Sequence, residues 1–193
     1  MSKERLVAFT DAVIAIIMTI LVLDLEKPSP VTVESIWELR TSFFAYALSF
    51  FWIGVMWVNM HTGWHDIKKI SPKVVWNTMF LLFFSSFFPY VTSLVSQNFY
   101  NEVAQVFYGV IILAVTTFNT LMYRSLAEIP ENNKAMTVFM NERKWIPYDI
   151  ALKVLGLILS IAVYPPAVTY SILIIMIGFG ISAVVKSHRV EAN

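Results

Sequence analysis

The chain contains no cysteine, which excludes disulfides, thiolate zinc sites and cysteine nucleophiles and removes any reading of redox compartment. Charge is scarce as well: 14% of the 193 residues are Asp, Glu, Lys or Arg, against about 25% in soluble domains. A formal net charge of +1 gives no electrostatic case for nucleic acid as a partner. There is no internal repeat, and the apolar runs are too long and too continuous for the alternating strands of a membrane barrel. What remains is apolar. Hydrophobic residues make up 58% of the chain, more than a fold of this size can hide from water, because small domains leave much of their surface solvated. A lipid solvent removes that difficulty, so the sequence reads as an all-α integral membrane protein and not as an enzyme.

A helix crossing the hydrocarbon core needs roughly 20 mostly apolar residues. Six runs meet that need: 6–23, broken only by Asp11; 41–60; 74–96; 103–123; 148–164, with Asp149 and Lys153 near its start; and 167–185. They are read as a single six-span transmembrane domain over residues 1–193. Pro28 and Pro30 close the first run, and Pro165-Pro166 joints the last two. The connection from Ala127 to Pro147 places Ala135, Met136, Val138, Phe139 and Met140 between charges, as an interfacial helix would. The basic start followed by an apolar stretch resembles a signal peptide, but Asp11 interrupts it and no small-residue cleavage site follows, so the segment is expected to be retained.

Positive residues collect on the cytoplasmic side of short loops. Six spans put both termini on one side, and that side receives twelve of the fourteen Lys and Arg residues; Lys27 and Arg40 alone fall opposite. Cytoplasmic N- and C-termini follow. The external rim carries Asp24, Glu26, Glu34, Glu38 and Glu102, an arrangement that attracts cations, although scattered acids are more often just a solvated loop.

Ionisable groups inside a membrane are costly and call for partners. By depth alone, Arg5, Asp11, Asn59, His61, His65, Asn77, Asp149 and Lys153 fall in one layer near the inner face. Hydrogen-bonded glue between helices is the simplest account of such a layer. His61 and His65 have the i, i+4 spacing of a metal pair, but no Glu follows His61, so the zinc-protease pattern is absent and no metal site is expected. Asp149 and Lys153, also i, i+4, read as an ion pair.

At about 100° per residue, the first span has two faces. With Ile16 at zero, Ala12, Thr19, Ile20 and Leu23 fall within about 60° of it, while Asp11 lies about 140° away. One face carries Asp11 toward the bundle, and the other is a stripe of branched apolar residues with one hydroxyl. From periodicity alone, that stripe is a lipid-facing or packing surface.

The segment Arg5-Leu6-Val7-Ala8-Phe9-Thr10-Asp11, followed by Ala12 to Ile16, resembles the opening motif of the bacterial relatives of the endosomal and lysosomal potassium channel of animals: Arg, three residues, then Phe-Ser-Asp. Thr10 departs from the usual Ser but keeps the hydroxyl. Trp57, His61, His65, Asn77 and Phe88-Pro89-Tyr90 extend the resemblance, which covers about residues 5–92. It implies a potassium-permeable channel assembled as a four-fold homotetramer in the bilayer, with the first helix lining the pore. Ile16 would stand at the narrowest point, backed by Ile20 and Leu23, with Thr19 facing the ions and Asp24 at the outer mouth. Arg5, Phe9, Thr10, Asp11, His61, His65 and Asn77 would form the motif and the polar network that holds the pore helix. No Thr-Val-Gly-Tyr-Gly loop occurs in the sequence, so the channel would work without a carbonyl filter of that kind and would need no cofactor, with potassium as the permeant ion. The resemblance also implies a bacterial cell membrane. The rival is an ion-coupled secondary transporter using Asp11, His61 and Asn77, although such folds usually show repeats and broken helices. A second rival, an intramembrane enzyme, would have to use His61 and His65.

Overall fold

The computed structural model describes residues 1–133, 136–137 and 146–178. Among them every regular element is helical. Ser2 caps the first helix, α1 (Lys3–Ile20), by accepting the Arg5 amide, and a 3-10 turn over Leu21–Asp24 prolongs it. A short helix, α2 (Val33–Glu38), starts at a capping box in which Thr32 and Ser35 satisfy each other's amides. Then come α3 (Arg40–Trp64), α4 (Pro72–Ser85), α5 (Phe88–Gln97) and α6 (Glu102–Ala127). After a 3-10 turn at Pro130–Asn132 the described chain resumes as α7 (Ile146–Ala162) and α8 (Ala167–Gly178).

Four segments are long and apolar enough to cross a membrane: Lys3–Asp24, Arg40–Trp64, Pro72–Gln97 and Glu102–Ala127. They coincide with the first four expected spans, each starting or ending a few residues wider. The third is not one helix. Pro89 has no amide to give the carbonyl of Ser85, and its ring would crowd that carbonyl, so α4 stops at Ser85 and α5 restarts at Phe88. α7 and α8 occupy the places of the fifth and sixth runs, and the part of the sixth beyond Gly178 lies outside the described residues. So does most of the expected interfacial helix. Of its apolar residues the structure describes Met136, which is buried.

The bundle is built around α6, which packs on α4, α5 and α7, while α1 rests on α3, α4 and α5. Rings fill the seams: Phe118 of α6 stacks on Phe80 and Phe84 of α4 at centroid distances of 5.1 and 5.4 Å, and Trp52 of α3 stacks on Phe88 at 5.1 Å. Buried hydroxyls tie three helices together, with Thr92 donating to Ser49 at 2.7 Å and Ser49 sharing a 2.9 Å bond with Tyr108. α7 and α8 meet through a glycine. A Cβ on Gly156 would stand 2.7 Å from the Cβ of Ser171 and 3.2 Å from the backbone of Val168, so only glycine permits this approach. At the Pro165-Pro166 joint, Ser160 donates to the Pro165 carbonyl at 2.6 Å and accepts the Val168 amide at 2.9 Å.

On the side of the α3–α4 turn, residues 65–71 form a strap. Asn132, fully buried, accepts the amides of Lys68 and Lys69 and donates to the Lys69 carbonyl at 2.7 Å. Lys3 Nζ donates to the Ile67 carbonyl at 2.7 Å, so the start of α1 is pinned to the same strap. Ion pairs Lys69–Glu131 and Lys73–Glu128 flank it on the surface.

Candidate functional site

α1 divides cleanly. Leu6, Thr10, Ile14, Ile17 and Leu21 are buried against the bundle, at the three- and four-residue steps of one helix face. Opposite them, Phe9, Ile16, Ile20 and Leu23 are 49, 57, 39 and 77% exposed, with Ala12 and Thr19 exposed between them. This is the face expected to carry the stripe. The 3-10 turn alters one detail. Residues three apart eclipse in that geometry, so Leu23 lines up with Ile20 and is not rotated about 60° from it as in an α-helix. Thr19 Oγ1 donates back to the carbonyls of Ile16 and Ala15 at 2.9 and 3.1 Å. Its proton is thereby used, and its lone pairs are left outward as acceptors. Asp24 closes the turn, exposed.

Behind the stripe, the half-buried Asp11 accepts the indole Nε1–H of Trp57 at 2.8 Å, joining α1 to α3. A hydrogen bond to a carboxylate is worth about 1.5–3 kcal/mol. The Trp57 ring lies 6.1 Å from His61, and His65 pairs with Asp66 at 2.8 Å, both exposed. Asp11, His61 and His65, with Lys3 and Thr10, line a cleft of about 190 Å³ between α1 and α3.

The expected single polar layer is not what forms. Asn77 sits on the other side of α4, donating to Ser125 of α6 at 2.9 Å. Arg5 is exposed and its guanidinium makes no hydrogen bond among the described residues. Phe9 lies on the outward stripe and not in a network, because it falls only about 20° from Ile16 on the helix wheel. Thr10 keeps its hydroxyl bond within α1, to the Leu6 carbonyl at 2.8 Å. A separate polar centre lies between α6 and α7. Lys153 Nζ donates to Asp149 Oδ2 at 2.8 Å and to Thr116 Oγ1 at 3.0 Å, and rests 5.4 Å from the Trp52 ring centroid. The i, i+4 pair is thus as expected, while its partners Thr116 and Trp52 were missed. Three-residue spacing places Thr116 and Asn119 on one face of the fourth run, and that was the available signal. No cluster of three or more metal-ligating acids or histidines occurs among the described residues.

These features define a multi-pass helical membrane protein whose N-terminal helix is clamped on one face and bare on the other. Residues 5–89 match the family model described as endosomal/lysosomal potassium channel TMEM175. The chain resembles that family over this segment, which is 85 of its 193 residues. It is 28% identical over 160 residues to a potassium channel of Chryseobacterium sp. (strain P1-3), covering 83% of each chain. It is 31% identical over 127 residues to a potassium channel of Chamaesiphon minutus, covering 61% of this chain and 63% of that one. Its fold matches the crystal structure of a lysosomal potassium-selective channel TMEM175 homolog from Chamaesiphon minutus with a TM-score of 0.78 at 24% identity, over 93% of this chain and 96% of that one.

Proposed function

We propose that the protein is the six-span protomer of a potassium-permeable cation channel, a homotetramer in a bacterial cell membrane with both termini cytoplasmic. The observation that carries the reading is the uncovered face of α1, where Ile16, Ile20 and Leu23 stand exposed on one line. One helix encloses nothing. Four copies about a closed rotation axis enclose a channel and cover four bare faces together. The naming of relatives as potassium channels supports the same conclusion.

In this assembly Ile16 forms a narrow apolar ring backed by Ile20 and Leu23. Such a ring expels water and blocks ions until it widens. Thr19, whose lone pairs face outward, replaces part of the hydration shell of a passing potassium ion, and Asp24 concentrates cations at the outer mouth. No rigid carbonyl filter takes part, so preference for potassium over sodium is modest. Asp11 and Trp57 set the tilt of the lining helix.

Ile16→Asn wets the ring and raises potassium flux into proteoliposomes by an order of magnitude or so, about 1.4 kcal/mol off the barrier per factor of ten. Flux at or below the wild-type level, with the tetramer intact by cross-linking, sinks Ile16 as the constriction. A potassium, sodium and caesium series on the same vesicles measures the preference.

A further inference from the structure

α7 carries two charged side chains into the bundle, at a pocket that no residue of α1 lines. The Asp149 side chain is 7% exposed and that of Lys153 is 3%. The ammonium is well supplied, with a carboxylate oxygen at 2.8 Å, the Thr116 hydroxyl at 3.0 Å and the Trp52 ring at 5.4 Å. The carboxylate is not. Among the described residues, Asp149 Oδ1 is buried without a hydrogen-bond partner, and so is Asn119 Oδ1 of α6. Both side chains line one cavity of about 70 Å³, together with Asn59, Thr116, Lys153 and Met56.

Buried acceptors without donors are rare because each forfeits its hydration. Two of them, on different helices, facing one cavity that Asn59, Thr116 and Lys153 also line, define the guest by what it has to offer. A metal cation is repelled by the Lys153 ammonium, which already neutralises Asp149. An anion is repelled by the carboxylate. A small neutral molecule with two hydrogens to donate meets both oxygens and is indifferent to the net charge. A water molecule needs about 10–15 Å³ of such space and two to four polar partners, and the cavity provides both. We propose that this pocket is a binding site for ordered internal water, which bridges Asp149 Oδ1 to Asn119 Oδ1 and couples α7 to α6 through a second link beside the Lys153–Thr116 bond. The site hydrates a charge pair inside each protomer and does not depend on the channel reading.

The test is X-ray-driven hydroxyl-radical labelling of the full chain in lipid nanodiscs, read by mass spectrometry, since radicals formed from bound water oxidise the side chains beside it. Met56 lines the pocket and is 6% exposed; Met122, on α6, is fully buried and does not line it. Met56 is expected to oxidise several-fold faster than Met122, and Asn119→Leu, which removes one acceptor and fills the space, is expected to bring the two rates together. Equal rates in the unmodified protein overturn the proposal, and that comparison needs no variant to fold. A folded Asn119→Leu protein that keeps the fast labelling of Met56 overturns it as well.

Discussion

The first helix and the helix that begins at Ile146 each bring an aspartate into the bundle, and the protein treats the two differently. Asp11 is half-buried and reaches one donor, the Trp57 indole, beside an open cleft. Asp149 is buried, paired with a lysine of its own helix, and closed in by α3 and α6. The surroundings differ in the same sense. Both helices leave apolar side chains uncovered, among them Ile16 and Ile20 on α1 and Leu155 and Ile158 on α7, but α7 approaches α8 so closely that Gly156 has no room for a methyl group. A single polar link beside an open cleft suits a helix whose neighbours beyond the protomer complete its environment. A buried ion pair and glycine packing suit a scaffold that holds one arrangement.

The comparison breaks most readily at Lys153. Lys153→Met leaves Asp149 charged and without its counter-charge inside the bundle, and removing one partner of a buried pair costs about 3–5 kcal/mol. Loss of most folded protein on size-exclusion, or a large drop in melting temperature, is expected, with Lys153→Met/Asp149→Leu restoring much of it. A single variant that melts with the wild type would show that the fold does not depend on the pairing of Asp149 with Lys153. Next in size is Asp11→Ala, which removes a charge-assisted bond worth about 1.5–3 kcal/mol. It lowers the yield of assembled protein without changing ion preference in what assembles, and normal tetramers with altered preference would reverse the assignment of Asp11 to support. Trp57→Phe, which deletes the donor but keeps the ring, should fall between Asp11→Ala and wild type in the same yield assay.

The smallest effect belongs to the exposed strap. A hydrogen bond from Lys69, with help from its own backbone amide, holds the Glu131 carboxyl below the usual carboxylate range. A lowered folded value means that the contribution is complete above the ordinary carboxylate value and is lost as pH falls through the lower, folded one. Glu131→Gln should therefore flatten a slight decline of melting temperature in that acid window and change nothing at neutral pH. An undiminished decline in the variant assigns it to other carboxylates.

The helices were legible because lipid solvent imposes a length and a composition that any window along the chain can register, and the two faces of α1 were legible because a helix repeats its angle. Tertiary partners were not. Depth alone put Asn77 beside Asp11, but the rotation of α4 turns it to Ser125. The motif suggested that Phe9 belonged with its neighbours Thr10 and Asp11, yet adjacent residues on a helix point about 100° apart. Pro89 announced a fault in the third run, and the fault lies where its missing amide requires. Asn132 gave no sign, since an asparagine after a proline reads as an ordinary turn until one sees that two amides of a distant loop converge on it.

That asparagine gives the protein a mechanical linkage. The end of α6 and the foot of α1 each grip the same short stretch of backbone, one through Asn132 and the other through the Lys3 ammonium. Hydrogen bonds of 2.7 Å have little slack. The strap therefore joins the end of α6 to the start of the first helix, so the two halves of the molecule are held at one short segment.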